Sequence, residues 1–262
     1  MNKEQLYAKF FDLEYSNKKD DVDFYYKLAQ EIDGPILECA CGTGRILVPI
    51  ARSGKEIWGF DSNINMLDIA LQKIGNLNTI SKTNIFHDDL TTFSSSILRD
   101  KKFKFIFLSF DSYAYLAQKE DGYYSTEQIY KRQYIALKKI SEHLDDDGVF
   151  AFDLFSPTDL SKDYFMRHHF SKVIDNKTWN LFSTIHIPTE HIFQIHYFME
   201  ILDNDGTPKR WYHPVSGYQT SYKEILSMLK KVGLHPEKIY EDFNLKLYKR
   251  NSEQMIFICK KR

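Results

Sequence analysis

One short stretch limits the folds open to this chain. Ile36-Leu37-Glu38-Cys39-Ala40-Cys41-Gly42-Thr43-Gly44-Arg45 starts as an apolar run, closes on an acid and turns on two glycines one residue apart. A helical pattern of Ile46, Leu47, Ile50 and Ala51 follows. Glycines in such a turn let the backbone bend sharply and let a ligand lie against the main chain without meeting a Cβ. Strand, glycine-rich turn and helix is the unit with which open α/β sheets hold nucleotide-like cofactors at the carboxyl ends of their strands. The dinucleotide fingerprint asks for a third glycine at position 47, where Leu stands. A phosphate-cradling loop asks for Gly-Lys-Ser/Thr, and Gly44 is followed by Arg45-Ile46. Neither phosphate motif is met.

The rest of the chain supplies partners for that unit. Glu56 to Asp61 reads as a second strand, with Asp61 placed 17 residues after Gly44. An acid there is positioned to accept two hydroxyl hydrogens from a ribose; the blander use is a helix N-cap, with Ser62 as competitor. Thr83 to Phe86 is a short third strand running into His87-Asp88-Asp89-Leu90, and Phe103 to Phe110 is an apolar fourth strand of the kind covered on both faces. A helix over about Thr126 to His143, a solvated turn at Asp145 to Gly148 and a fifth strand from Gly148 to Phe155 complete this half. From Ser156 to Thr220 the rhythm changes to period two. Phe193, Ile195, Tyr197, Met199 and Ile201 alternate with mostly polar residues, as do Trp179, Leu181, Ser183, Ile185 and Ile187. Asp175-Asn176-Lys177 and Asn204-Asp205-Gly206 read as hairpin turns. A helix from Tyr222 to Val232, stopped by Gly233, and strands near Lys238–Phe243 and Gln254–Lys260 close the core.

Glu38 to Arg45 resembles motif I of the class I S-adenosylmethionine-dependent methyltransferases, small-molecule type. The resemblance covers about Tyr7 to Phe155 and Tyr222 to Lys261. It implies an α/β fold with a doubly wound, mostly parallel seven-stranded sheet, Rossmann-like, carrying an inserted antiparallel sheet. The implied division is a helical lid over 1–33, a cofactor-binding core over 34–155 and 221–262, and a β cover over 156–220. Phe11-Asp12-Leu13-Glu14-Tyr15 is similar to the family's Y-D-x-x-Y lid, with Tyr15 matching the second Tyr and Phe11 replacing the first. The implied cofactor set is then Tyr15 from the lid, Glu38, Ala40, Gly42, Gly44 and Arg45 from motif I, Asp61 and Ser62 at the ribose, and Met66 near the adenine. Asp88 or Asp89 takes the adenine amino group, the Leu90 backbone meets the ring, and Phe110 lies where the methyl meets its acceptor.

Composition narrows the partners. Hydrophobic residues make up 43% of 262, enough for a real core, and 35 basic against 36 acidic residues leave a formal charge of −1. Without a basic stripe, nucleic acid is disfavoured, and no apolar run has the length to span a bilayer. Three cysteines cannot all pair, so a reducing, cytoplasmic setting is expected, and no further ligands complete Cys39-x-Cys41 as a metal site. The insertion holds His168, His169, His186, His191, His196 and His213, none of which the pattern singles out as a base, and Trp179, Trp211 and Tyr212 as candidate stacking surfaces. The reading is methyl transfer from S-adenosylmethionine, leaving S-adenosylhomocysteine, to a nitrogen or oxygen of a small molecule. An NAD-dependent oxidoreductase and a non-catalytic cofactor-binding module are the alternatives. Monomer and dimer both stay open.

Overall fold

A computed structural model describes residues 1–75, 82–93, 98, 101–156, 166–250 and 252–261. Helix α1 (Lys3–Tyr15) opens on a capping box in which Asn2 and Gln5 exchange side-chain and backbone hydrogen bonds. Helix α2 (Asp20–Glu31) follows, and β1 (Ile36–Cys39), α3 (Leu47–Arg52), β2 (Ile57–Asp61), α4 (Ile64–Gly75), β3 (Thr83–His87) and β4 (Phe103–Leu108) then alternate. A 3-10 turn (Ala114–Ala117) and a small hairpin of β5 (Gln118–Lys119) and β6 (Gly122–Tyr123) lead to α5 (Thr126–His143) and β7 (Leu144–Phe155). Strands β8 (Arg167–Ile174), β9 (Lys177–His186), β10 (Ile192–Leu202) and β11 (Pro208–Tyr218) precede α6 (Tyr222–Lys231), β12 (Leu234–Tyr240) and β13 (Gln254–Lys261).

Seven strands form one sheet in the order β12-β13-β7-β4-β1-β2-β3, parallel except for β13. The chain winds outward from β1 to β3 and then returns to β4 on the other side, which opens a crevice beyond the carboxyl ends of β1 and β4. Side chains alternate between two cores. Leu37, Ile106 and Phe150 pack with Leu137 and Ile140 of α5 and Met228 of α6 on one face. Ile36, Phe105, Phe107 and Ala151 pack with Tyr25 of α2 and Ile50 of α3 on the other. Cys39 and Cys41 fall in opposite cores.

The second sheet, β11-β10-β9-β8, is antiparallel. Its inner face (Trp179, Leu181, Tyr197, Met199, Ile201) buries Leu6 and Phe10, one turn apart on α1, so the first helix is glued to the insertion. The Asp175–Asn176 turn has both residues at positive φ, 50° and 60°, as a two-residue hairpin requires. The part of the insertion over 157–165 lies outside the described residues.

Several boundaries differ from expectation. Strand β4 stops at Leu108 because Phe110 and Asp111 turn left-handed (φ 61° and 53°). The acidic turn lies within β7: Leu144 pairs with Phe103 and Val149 with Phe105, so Asp145–Asp147 bulge out of the ladder. Strand β12 begins at Leu234, four residues early, since as an edge strand it tolerates Pro236 at a register shift. Helix α6 ends at Lys231, ahead of Gly233 at φ 74°. The 3-10 turn and the β5–β6 hairpin carry no periodic signal and were not foreseen.

Candidate active site

The glycine-rich turn emerges from β1 into the crevice. Ala40, Gly42 and Gly44 all take positive φ (54°, 53°, 76°), which coils the loop so that its backbone faces outward. The two glycines serve different ends. A Cβ at Gly42 would meet nothing within 4 Å, and Gly42 lines the main cavity with Ala40, so that space is open for a ligand. A Cβ at Gly44 would lie 3.1 Å from both Ala70 and Val48, so Gly44 lets α4 pack and does not border the cavity. At the dinucleotide position Leu47 is buried, and its side chain fills the space over Gly59.

Asp61 ends β2 beside this turn. Its Oδ2 accepts the Gly42 N–H at 2.8 Å and its Oδ1 accepts the Asn63 N–H at 2.8 Å. It is therefore not the cap of α4, and neither is Ser62: Asn63 caps it, its Oδ1 accepting from the backbone of Asn65 at 3.0 Å and of Met66 at 3.4 Å. Burial pushes the Asp61 carboxyl up, opposed by the N–H groups of Asn63 and Gly42. Asp61, Ser62, Asn63 and Met66 border a cavity of about 780 Å³.

An adjoining hollow of about 270 Å³ opens between Phe60, Asp61, Asp88, Asp89, Leu90 and Tyr115. Asp88 and Asp89 shape its wall. Asp88 Oδ1 accepts from the Asp89 N–H and the Thr92 hydroxyl, both at 2.9 Å, and Asp89 Oδ1 accepts the Thr91 N–H at 2.8 Å. Asp89 Oδ2 stays 3.8 Å from Arg132.

Behind the glycines lies a charged nest. Glu38 is buried; the Leu47 N–H meets its carboxylate, while Oε2 has no hydrogen-bond partner among the described residues. Burial holds this carboxyl far above the usual carboxylate range, against the pull of Arg45. Arg45 itself is held by Asp21 through two bonds of 2.6 Å, with its guanidinium 5.1 Å over the Phe110 ring. Glu38 borders a hollow of about 40 Å³ that shares Phe11, Ala40, Gly42, Phe110 and Ser112 with the main cavity. Phe110 is kept in its left-handed turn by Asp153, which accepts the N–H groups of Phe110 (2.9 Å) and Asp111 (3.2 Å) and the Tyr25 hydroxyl (2.6 Å). Burial pushes Asp153 up to about 6, with the Tyr25 bond opposing it. Sequence reasoning missed this anchor, although an acid inside Val149–Phe155, an otherwise apolar strand, was its signal.

Helix α1 closes the front. Tyr15 stacks edge-on to Phe110 at 4.6 Å between centroids, with Phe11 6.0 Å from the same ring. Asp12 accepts the Thr43 hydroxyl at 2.7 Å and pairs with Lys73, fastening α1 to the glycine turn and to α4. Tyr7 stacks on His213 at 3.9 Å. A second chamber of about 350 Å³ shares Tyr15, Phe110, Tyr115 and Tyr197 with the main cavity and adds Glu14, Arg167, His169 and Ser183. The stacking candidates are elsewhere: Trp179 is in the core beneath α1, Trp211 packs against that core, and Tyr212 is 46% exposed. His196 and His168 lie with outward-facing partners Tyr212 and Ser171.

Thus Tyr15, Ala40, Gly42, Asp61, Ser62, Met66 and Phe110 share the main cavity, Asp88, Asp89 and Leu90 border its side hollow, and Glu38 and Arg45 its rear one. Gly44 alone stands apart. The set fits a cofactor with vicinal hydroxyls, an adenine and an ammonium: an acid beside an open glycine for the first, a side hollow for the second, and an unpartnered buried carboxylate oxygen for the third.

Residues 36–131 match the methyltransferase domain family model. A protein of Geobacillus sp. (strain WCH70) named as a methyltransferase is 27% identical over 86% of this chain and 84% of its own. The fold matches an S-adenosylmethionine-dependent methyltransferase from Clostridium acetobutylicum ATCC 824 with TM-score 0.76 at 20% identity, covering 97% and 98% of the two chains. It also matches the sugar N-methyltransferase KedS8 from Streptoalloteichus sp ATCC 53650 with TM-score 0.73 at 16% identity, covering 96% and 93%. Fold, motif and domain match together mark residues 36–131 as a methyltransferase domain, within a fold shared with S-adenosylmethionine-dependent methyltransferases.

Proposed function

We propose that this enzyme methylates a nitrogen or oxygen atom of a small molecule. The observation that carries the reading is the 350 Å³ chamber, which meets the main cavity along four aromatic side chains and is roofed by the antiparallel sheet. A space of that size falls within the range of small-molecule sites. The likeness to a sugar N-methyltransferase and the formal charge of −1 support the same direction. Three buried free cysteines accord with a reducing, cytoplasmic setting. Among the described residues, no helix is long and apolar enough to cross a membrane.

S-adenosylmethionine, when bound, supplies a sulfonium-activated methyl group. In this reading Glu38 Oε2 takes the methionyl ammonium, Asp61 accepts the ribose hydroxyls, Met66 packs on the adenine, and Asp89 and the Leu90 backbone meet its polar edge. Tyr15 and Phe110 form the wall between cofactor and acceptor. Residues 1–33 act as the lid, 34–155 and 221–262 as the cofactor core, and 156–220 as the cover. The protein's contribution to an in-line displacement is alignment of the two reactants and exclusion of water by this aromatic wall.

The test is incubation with methyl-labelled S-adenosylmethionine and a panel of amino sugars, biogenic amines and phenols, alongside tRNA and protein fractions. Label in a panel member supports the proposal. Label confined to RNA or protein contradicts it, and cofactor binding without any transfer favours a binding module.

A further inference from the structure

Resting on the small-molecule reading above, we infer that His169, oriented by Glu14 and reached through Ser183, is the group that takes the proton from the methyl acceptor. The side chains of His169 and Glu14 are 8% and 11% exposed and both border the second chamber. His169 Nδ1 pairs with Glu14 Oε1, and His169 Nε2 lies 2.7 Å from Ser183 Oγ. A carboxylate can only accept, so Nδ1 carries the imidazole proton. Nε2 is then the basic nitrogen, and the Ser183 hydroxyl donates to it.

Backbone geometry places this histidine where its neighbours are not. Strand β8 changes register between His168, opposite Phe182, and Phe170, opposite Leu181. His169 is the extra residue at that irregularity, which is the device by which a strand re-aims one side chain. His168 meets Ser171 on the exposed side, whereas His169 turns toward α1 and the Tyr197 ring, 5.9 Å away. Glu14 sits one residue before Tyr15, so the helix that lines the cofactor cavity also delivers the carboxylate to the base.

The proton balance is complete with these groups. The acceptor's nitrogen or oxygen forms its bond to the methyl carbon, the carbon–sulfur bond breaks, and that electron pair remains on sulfur. The acceptor's proton passes to the Ser183 oxygen as the serine's own proton moves to Nε2. The imidazolium formed is stabilised by Glu14 and loses its proton to solvent after product leaves. Charged and titratable groups lining the chamber with the imidazole are Glu14 and Tyr15 from α1, Lys18 beyond it, Tyr115 from the 3-10 turn, Arg167 from β8 and Tyr197 from β10.

The test compares the wild type with His169→Gln and Glu14→Gln, using the panel member methylated fastest. His169→Gln is expected to lower kcat by about a hundredfold or more, the usual contribution of a positioned base. Its S-adenosylhomocysteine affinity should stay within about twofold, which shows an intact fold. Glu14→Gln should move the acid limb of the kcat profile to lower pH, because the imidazolium loses its counter-ion; a merely structural glutamate would not shift the limb. As a readout apart from turnover, the nitrogen-15 spectrum of the wild type with S-adenosylhomocysteine should show the neutral form of His169 carrying its proton on Nδ1. Wild-type kinetics in His169→Gln, or a proton on Nε2, overturns this inference alone. Transfer by the wild type to no panel member removes the small-molecule reading, and the inference with it.

Discussion

Glu38→Gln separates cofactor recognition from folding because the structure gives the two effects opposite signs. The substitution keeps shape and removes the ability to ionise at a site where one oxygen is met by the Leu47 N–H and the other by no described residue. A buried carboxylate without a full set of partners is costly, and its carboxyl is accordingly held far above the usual range. Replacing it with an amide removes that cost, so the ligand-free variant should melt at the same temperature as the wild type or higher. Binding should move the other way. A charge-assisted hydrogen bond contributes about 1.5–3 kcal/mol, so loss of the ammonium contact should weaken S-adenosylhomocysteine by about ten- to a hundredfold. Calorimetric titration and thermal unfolding without ligand read the two terms. Binding of the wild type should also release a proton, as the ammonium draws Glu38 towards its ionised form, and the variant should release none from this site. Unchanged affinity, or a variant that is less stable and binds normally, would refute the reasoning.

Three further outcomes follow from the same geometry. Asp153→Asn should destabilise the fold, and its deficit should shrink by about 2 kcal/mol between pH 4 and 7: a carboxyl raised from the ordinary range to about 6 gives stability that is present at low pH and lost as pH rises through 6, and denaturant unfolding at both pH values would expose a constant deficit if this is wrong. Gly42→Ala should cost only about 1–2 kcal/mol of stability, since the Cβ meets no atom, yet weaken S-adenosylhomocysteine at least tenfold by projecting into the cavity; equal affinity would show that the cofactor does not pass that point. Asp61→Ala should lower affinity by tenfold or more in the same titration, through both the ribose contact and the freed Gly42 N–H, and an unchanged value would remove Asp61 from the ribose role.

What the sequence disclosed were features with a local cause. The glycines after an apolar run, the acid closing β2, and the period-two alternation through Phe193–Ile201 each follow from a few neighbouring residues, and they pointed to the crevice and to a second, antiparallel sheet. What it withheld depends on contacts far apart in the chain. Asp12 reaches Thr43 and Lys73, Tyr25 reaches Asp153, and Asp21 takes both terminal guanidinium nitrogens of Arg45, none of which a periodic pattern encodes. His169 was hidden for another reason. Alternation assigns a strand residue to one face, and a register irregularity breaks that rule at the one histidine that faces Glu14. The role of Asp61 was legible only in part: its position at the strand end was plain, but its two backbone donors, and the transfer of capping to Asn63, required the folded loop.

The most direct measurement is a crystal structure of the protein with S-adenosylhomocysteine. The account predicts the ribose hydroxyls on Asp61, the adenine in the hollow beside Asp89 and Leu90, the ammonium on Glu38 Oε2, and the sulfur facing the wall of Tyr15 and Phe110. A ligand seated away from Gly42, or with its ammonium remote from Glu38, would contradict it.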